Sequence, residues 1–178
     1  MANESKPSPY DALPTLPTFS LTSPELGPGD KLPDALRAES SGGEDRSPEL
    51  SWSGFPEGTK SFAVTMYDPD APTASGFWHW AVYNIPADVT SLEAFAGSAD
   101  GAKLPKGAVT LHNEDRQKQY AGAAPPKGHG PHRYYFVVHS LDVAELELPE
   151  GSTPAYLGFN LFMKATGRAI LQGWTETT

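Results

Sequence analysis

Glycine and proline take about one residue in five of this 178-residue chain, 17 and 18 positions respectively, against a usual background of about 12%. Proline removes a backbone donor, and glycine loses entropy inside any regular element, so a chain punctuated this often is not built from long helices. Aromatic residues make up 11%, enough bulky apolar surface to form a core and to exclude wholesale disorder. The expectation is one loop-rich, predominantly β domain, preceded by a proline-rich extended arm over residues 1–17, with the domain proper over residues 18–178.

The hydrophobic pattern fits. Short strands are expected at Thr18–Thr22, Leu50–Ser53 and Val109–Leu111, and stronger ones at Ser61–Tyr67, Phe77–Ile85 and Arg133–Leu141. In Ser61–Tyr67, Phe62, Val64 and Met66 share one face. In Phe77–Ile85, strict alternation puts Trp78, Trp80 and Val82 on one face and His79, Ala81 and Tyr83 on the other. Arg133–Leu141 is apolar on both faces, which marks a central strand. Asp88 can cap a brief helix through Ala94. A helix is expected over Pro154–Ile170, with Phe159, Phe162, Met163, Thr166 and Ile170 at buried spacing and Gly173 as its breaker. The sum is an all-β, antiparallel sandwich of two sheets with short helices and a C-terminal helix.

A formal charge of -9 argues against nucleic acid and anionic membranes as partners. One segment reverses the sign. Lys103–Arg133 carries six basic residues against Glu114 and Asp115, together with His112, His129 and His132. A small anion fits there, as does a plainly solvated loop. With no cysteine, disulfides and thiolate metal sites are excluded. No apolar run has the length of a signal peptide or a spanning helix, so a cytoplasmic protein without a transmembrane segment is expected.

Polar chemistry gathers at two strand ends. Asp68-Pro69-Asp70 follows one strong strand, with His79 about ten residues later. The loop Gly122–Pro131 leads into His132 and Tyr134. Each has a bland alternative, a local aspartate turn or a core histidine. Neighbouring strands would bring the groups together. His139 lies mid-strand and reads as structural, whereas His132, at a loop junction, is expected to reach a pocket without deep packing.

The runs DPDAPTASGFWHWAVYNIP (Asp68–Pro86) and GHGPHRYYFVVHSLD (Gly128–Asp142) resemble the two signature regions of the phosphatidylethanolamine-binding proteins, and more closely their bacterial and archaeal, Raf kinase inhibitor-like branch. SPELSW (Ser47–Trp52) fits too, and AYLGFNLF (Ala155–Phe162) is similar to actinobacterial members. The resemblance implies a small anion pocket at one end of two antiparallel sheets. Its ligand-binding residues would be Asp68, Asp70, His79, Gly122, Gly130, His132 and Tyr134, with backbone amides of Ala121–Gly130 on the rim and a cis peptide at Ala71–Pro72. Tyr120 is followed by Ala121-Gly122-Ala123-Ala124, where many members have Gly-Pro. The implied function is non-enzymatic binding of a phosphate- or carboxylate-bearing molecule, such as a phosphatidylethanolamine headgroup, without a cofactor. A kinase or protease partner and a homodimer are compatible with the family. The alternative is a metal-dependent hydrolase or oxidase using Asp68, Asp70, His79 and His132, although no HExxH or Gly-x-Ser-x-Gly motif is present.

Overall fold

The computed structural model describes residues 6–178. Eight strands form: β1 (Ser20–Thr22), β2 (Leu50–Ser53), β3 (Ser61–Asp68), β4 (Phe77–Pro86), β5 (Ser91–Leu92), β6 (Val109–Thr110), β7 (His132–Leu141) and β8 (Ala165–Thr175). One α-helix, α1 (Pro154–Lys164), lies between β7 and β8, and two short 3-10 helices span Asp34–Leu36 and Glu39–Ser41 among the described residues. A small sheet has the order β1-β2-β5 and a large one the order β6-β4-β3-β7-β8, with every pair antiparallel.

The inner face of the large sheet meets the small sheet. Phe62, Val64, Met66, Trp80, Tyr134, Phe136 and Val138 pack there against Leu21, Leu50, Trp52 and Leu92. The outer face carries a second cluster, in which Ala63, Ala81 and Tyr83 meet Leu157 and Leu161 of α1. Both faces of β3 and β7 are therefore covered, and all ten residues of β7 are buried.

Residues 6–17, the described part of the arm, contain turns at Ser8–Asp11 and Tyr10–Leu13 and do not run fully extended. They dock on the outer face, where the Tyr10 ring lies 5.8 Å from Tyr135 and the Arg168 guanidinium 5.6 Å from Tyr10. Residues 1–5 of the arm lie outside the described residues.

Two expected helices change. Asp88–Ala94 is a turn followed by the two-residue strand β5. The helix expected over Pro154–Ile170 ends at Lys164, and Ala165 turns to extended backbone. From there β8 pairs with nearly the whole of β7. Period-two burial decides it: Gly167, Ala169, Leu171, Gly173 and Thr175 all face inward. A Cβ on Gly173 would lie 2.7 Å from Leu32, so this glycine admits the chain that crosses it and does not break an element. The helix itself starts as expected, with Thr153 accepting from the Tyr156 amide at 3.1 Å and Pro154 in the first turn. Its buried residues are Pro154, Leu157 and Leu161, whereas Phe159, Phe162 and Met163 face outward.

Candidate functional site

Topology gathers the candidates. β3 lies between β4 and β7 and runs antiparallel to both, so its C-terminal end meets the N-terminal ends of its two neighbours. Asp68 therefore lies beside Phe77 of β4 and close to the start of β7. Asp68, Phe77, His79, His132 and Tyr134 line a cavity of about 500 Å³ at this end of the sandwich.

His79 reaches the cavity through an irregularity. Met66 pairs with Trp80 and Tyr67 with Trp78, so His79 is an extra residue in β4. Such a bulge breaks alternation and re-aims a side chain. Trp78 then lies on the outer face, stacked at 4.3 Å on Tyr67, while His79 lies 5.4 Å from Tyr134 in the cavity wall. The expected grouping of Trp78 with Trp80, opposite His79, fails for this reason. The His79 Nδ1 donates to the Ala121 carbonyl at 2.8 Å. Burial lowers the His79 pKa, against the opposing pull of that carbonyl and of Asp68. The ring is therefore neutral near pH 7, with Nε2 as its acceptor.

His132 is nearly inaccessible, contrary to the expectation of a lightly packed side chain, because β7 is covered from its first residue. Its Nδ1 donates to Asp68 Oδ2 at 2.7 Å, and its Nε2 shares a 2.7 Å hydrogen bond with His129 Nδ1. Both ring nitrogens are thus engaged. His129 is exposed and sits between Gly128 and Gly130, which both have positive φ. Tyr134 is fully buried, and its hydroxyl has no hydrogen-bond partner among the described residues. Burial raises the pKa of this phenol, with nearby Asp68 adding to the effect, so it remains a proton donor.

Asp70 does not join this group. The two aspartates of the turn diverge: Asp68 Oδ1 accepts from the Asp70 amide at 2.7 Å, and the Asp70 side chain goes to the outer face. There it accepts from the Arg133 side chain at 2.8 and 3.1 Å, from the Arg133 amide at 3.0 Å and from Lys6 at 3.0 Å. Burial works to raise its pKa, but these donors overcome burial and hold it at about 2. Arg133 also donates to the Lys6 and Pro7 carbonyls at 3.0 Å each. The expected cis bond at Ala71–Pro72 is absent: every described peptide bond is trans.

Several of the expected rim amides are already engaged. The amides of Ala121, Gly122, Ala123, Gly128 and His129 all donate within the protein. Gly122 lines the cavity, yet its lack of a side chain serves packing, since a Cβ there would lie 2.3 Å from the backbone of Arg37 and Ala38. Gly130 is not among the lining residues. The basic segment supplies no cation to the wall: Lys103, Lys106, Arg116, Lys118 and Lys127 are exposed, and Arg133 is committed to Asp70. The charged lining residues other than histidine are Asp45, Asp68 and Asp115.

Asp45 was not singled out in the sequence. It arrives from the Ser40–Gly43 loop and accepts from the Gly122 amide at 2.7 Å and the Glu39 amide at 3.1 Å. Gln117 and Gln119, also missed, lie in the wall from the segment before Tyr120. No spacing signal links these positions, because chance-length loops carry them. With Asp70 turned away, the four residues of the metal-enzyme alternative do not converge. No three His, Asp or Glu side chains among the described residues are arranged to hold a metal ion.

A sandwich with a cavity at one end, lined by apolar side chains and a few polar ones, among them the unpartnered Tyr134 hydroxyl, fits a small-ligand binding fold. The family model for the phosphatidylethanolamine-binding protein matches residues 22–175. The chain belongs to that family. It is 49% identical to the UPF0098 protein YbcL of Escherichia coli over 145 residues, covering 80% of this chain and 79% of the relative. It is 45% identical to YbhB of the same organism over 155 residues, covering 86% and 97%. The crystal structure of E. coli YbcL superimposes with a TM-score of 0.86 at 45% identity, over 90% of this chain and 99% of that one. No described helix is long and apolar enough to cross a membrane.

Proposed function

We propose that the protein is a non-enzymatic module that binds a small phosphate- or carboxylate-bearing molecule in this cavity and takes up a proton as it does so. The observation that carries the reading is the Tyr134 hydroxyl, a fully buried donor in a cavity wall with no partner among the described residues. This hydroxyl is the one unmet buried side-chain atom among the cavity's lining residues, and a ligand acceptor would satisfy it.

The lining sets the proton requirement. Three carboxylates and no Lys or Arg face the cavity, so the neutral donors alone meet an anion against an acidic wall, and binding gains where His79 takes a proton or the ligand brings one. A bound anion favours protonated His79, and the lowered pKa of the free protein opposes it. Affinity for an anion therefore falls as pH rises above the free-state pKa, by up to about tenfold per pH unit for one coupled proton. The acidic wall also suits an amine on the same ligand. A zwitterionic headgroup of the phosphoethanolamine type thus fits better than free phosphate. Control of a kinase or protease by the same cavity has no feature of the site behind it.

Calorimetric titration at pH 6 with inorganic phosphate, phosphoethanolamine and a short-chain phosphatidylethanolamine tests the reading. Phosphoethanolamine is expected to bind more tightly than phosphate, and a further gain with the lipid would identify a lipid headgroup as the source. Tyr134→Phe is expected to weaken binding roughly five- to tenfold, the loss of one hydrogen bond of about 1–1.5 kcal/mol. No binding of any of the three, or equal binding by Tyr134→Phe, would overturn the proposal.

A further inference from the structure

A second cavity, of about 170 Å³, lies against the outer face of the large sheet. The sheet contributes Thr65 of β3, Trp78 of β4, His139 of β7 and Arg168 of β8. Helix α1 contributes Gly158, Leu161 and Phe162, and Tyr10 and Leu13 of the arm complete the wall. It shares no residue with the cavity at the end of the sandwich.

Nine buried side-chain atoms lack a hydrogen-bond partner among the described residues, and three of them belong to this one wall: the Tyr10 hydroxyl, the Thr65 hydroxyl and His139 Nδ1. Thr65 and His139 are only 2% and 5% exposed, and the rings of Tyr10 and His139 lie 6.5 Å apart. Each of the three atoms can donate. Arg168 Nε donates to His139 Nε2 at 3.0 Å, which fixes the neutral ring with its proton on Nδ1. Burial keeps the Tyr10 phenol protonated, against the smaller opposing effects of Thr65 and Arg168. Folded chains meet nearly all their buried polar groups, so three open donors in one place point to an acceptor from outside the chain.

Charge narrows the acceptor. Arg168 is the single charged residue of the wall, and it forms no salt bridge among the described residues. No carboxylate lines this cavity, whereas three line the other. Donors beside an unneutralised guanidinium suit an anionic oxygen. The remaining wall, from Leu13, Trp78, Leu161 and Phe162, suits a carbon body.

Gly158 keeps the space open. It stands inside α1, where glycine is the poorest helix former after proline. A Cβ there would meet nothing within 4 Å, so no neighbour requires a glycine at this position. An apolar cavity of about 150 Å³ holds benzene, so this one admits a single ring or a short chain.

We propose that the outer-face cavity is a second ligand site, which takes a small carboxylate with an apolar body, its oxygens accepting from Tyr10, Thr65 and His139 beside Arg168.

Calorimetric titration of the full chain at pH 7 with benzoate, hexanoate and benzylamine tests the inference. Benzoate is expected to saturate one site at millimolar concentration or below, and benzylamine, of similar size and opposite charge, to bind at least about tenfold more weakly. Tighter binding of hexanoate supports the same site with a chain as the body. Saturating phosphoethanolamine is expected to leave carboxylate binding unchanged. Thr65→Val, which removes one donor at nearly constant volume, is expected to weaken it roughly five- to tenfold. Gly158→Leu, which fills the space, is expected to weaken it more than about tenfold and to leave phosphoethanolamine binding as in the wild type. Should Gly158→Leu fail to fold, Thr65→Val decides alone. Failure of both carboxylates to bind overturns the proposal and leaves water to meet the three donors. Equal binding of benzylamine, displacement by phosphoethanolamine, or wild-type affinity in Thr65→Val overturns it as well.

Discussion

Strand β7 delivers polar side chains to both faces of the large sheet, and the two faces treat them differently. On the outer face Arg133 meets Asp70, the Tyr135 hydroxyl and two carbonyls of the arm, while His139 accepts from Arg168 at 3.0 Å. The Arg133 cluster is internally paired, although the Tyr10 and Thr65 hydroxyls and the His139 Nδ1 on the same face have no partner among the described residues. On the inner face Tyr134 has no partner, and His79 beside it is kept neutral by burial. Buried polar groups that are paired hold a fold together, whereas those left open beside a cavity define where a ligand belongs. Asp68 and Asp70, two residues apart, fall on opposite sides of this division.

Breaking the outer face should produce the largest effect. Asp70→Asn leaves the Arg133 guanidinium buried without its counter-ion and is expected to cost about 3–5 kcal/mol in urea unfolding, with affinity per folded molecule unchanged. Equal stability would mean that the pair holds nothing in place.

His132→Ala comes next. It strips the partner from the buried Asp68 carboxylate and should lower stability by about 2–3 kcal/mol, and it should weaken ligand binding as well, because Asp68 lines the cavity. A variant that melts like the wild type would show that Asp68 does not depend on the 2.7 Å bond.

Acid should separate the faces further. His139, held at about 3 mainly by burial and then by Arg168, is neutral when folded and takes a proton when unfolded. The stability it contributes is present above the ordinary value of 6.5 and is lost as pH falls toward 3. Asp70, held at about 2, contributes stability above its ordinary value of 3.8 that is lost between there and pH 2, at most about 2 kcal/mol. Urea midpoints measured from pH 7 to pH 2 should fall in both windows, and the lower step should vanish in Asp70→Asn. A persistent lower step would assign it to another carboxylate.

Tyr134→Phe should produce the smallest change in stability. It removes a hydroxyl that makes no bond, so its melting temperature should equal or slightly exceed that of the wild type. A marked loss would mean that the hydroxyl is structurally paired.

Much of this division was legible in the residues. Alternation in β3 and the doubly apolar run of β7 indicated which strands lie centrally, and an antiparallel centre is enough to gather Asp68, His79, His132 and Tyr134. The rest turns on features without a sequence signal. The bulge at His79 breaks the rule that assigned its face. The partner of Asp70 lies 63 positions away, and Asp45 comes from a loop that no periodicity describes. In α1 and β8 the helical spacing of Phe159, Phe162, Met163 and Ile170 points to one continuous helix. Pairing with β7 along the length of β8 outweighed it.

The central claim is that the cavity binds an anion by protonating His79. A ¹⁵N-edited titration of the histidine rings by NMR, in the free protein and with saturating phosphoethanolamine, tests it directly. The account predicts that His79 titrates below the ordinary 6.5 when free and above it when the ligand is bound. A His79 pKa that does not move on saturation would contradict it.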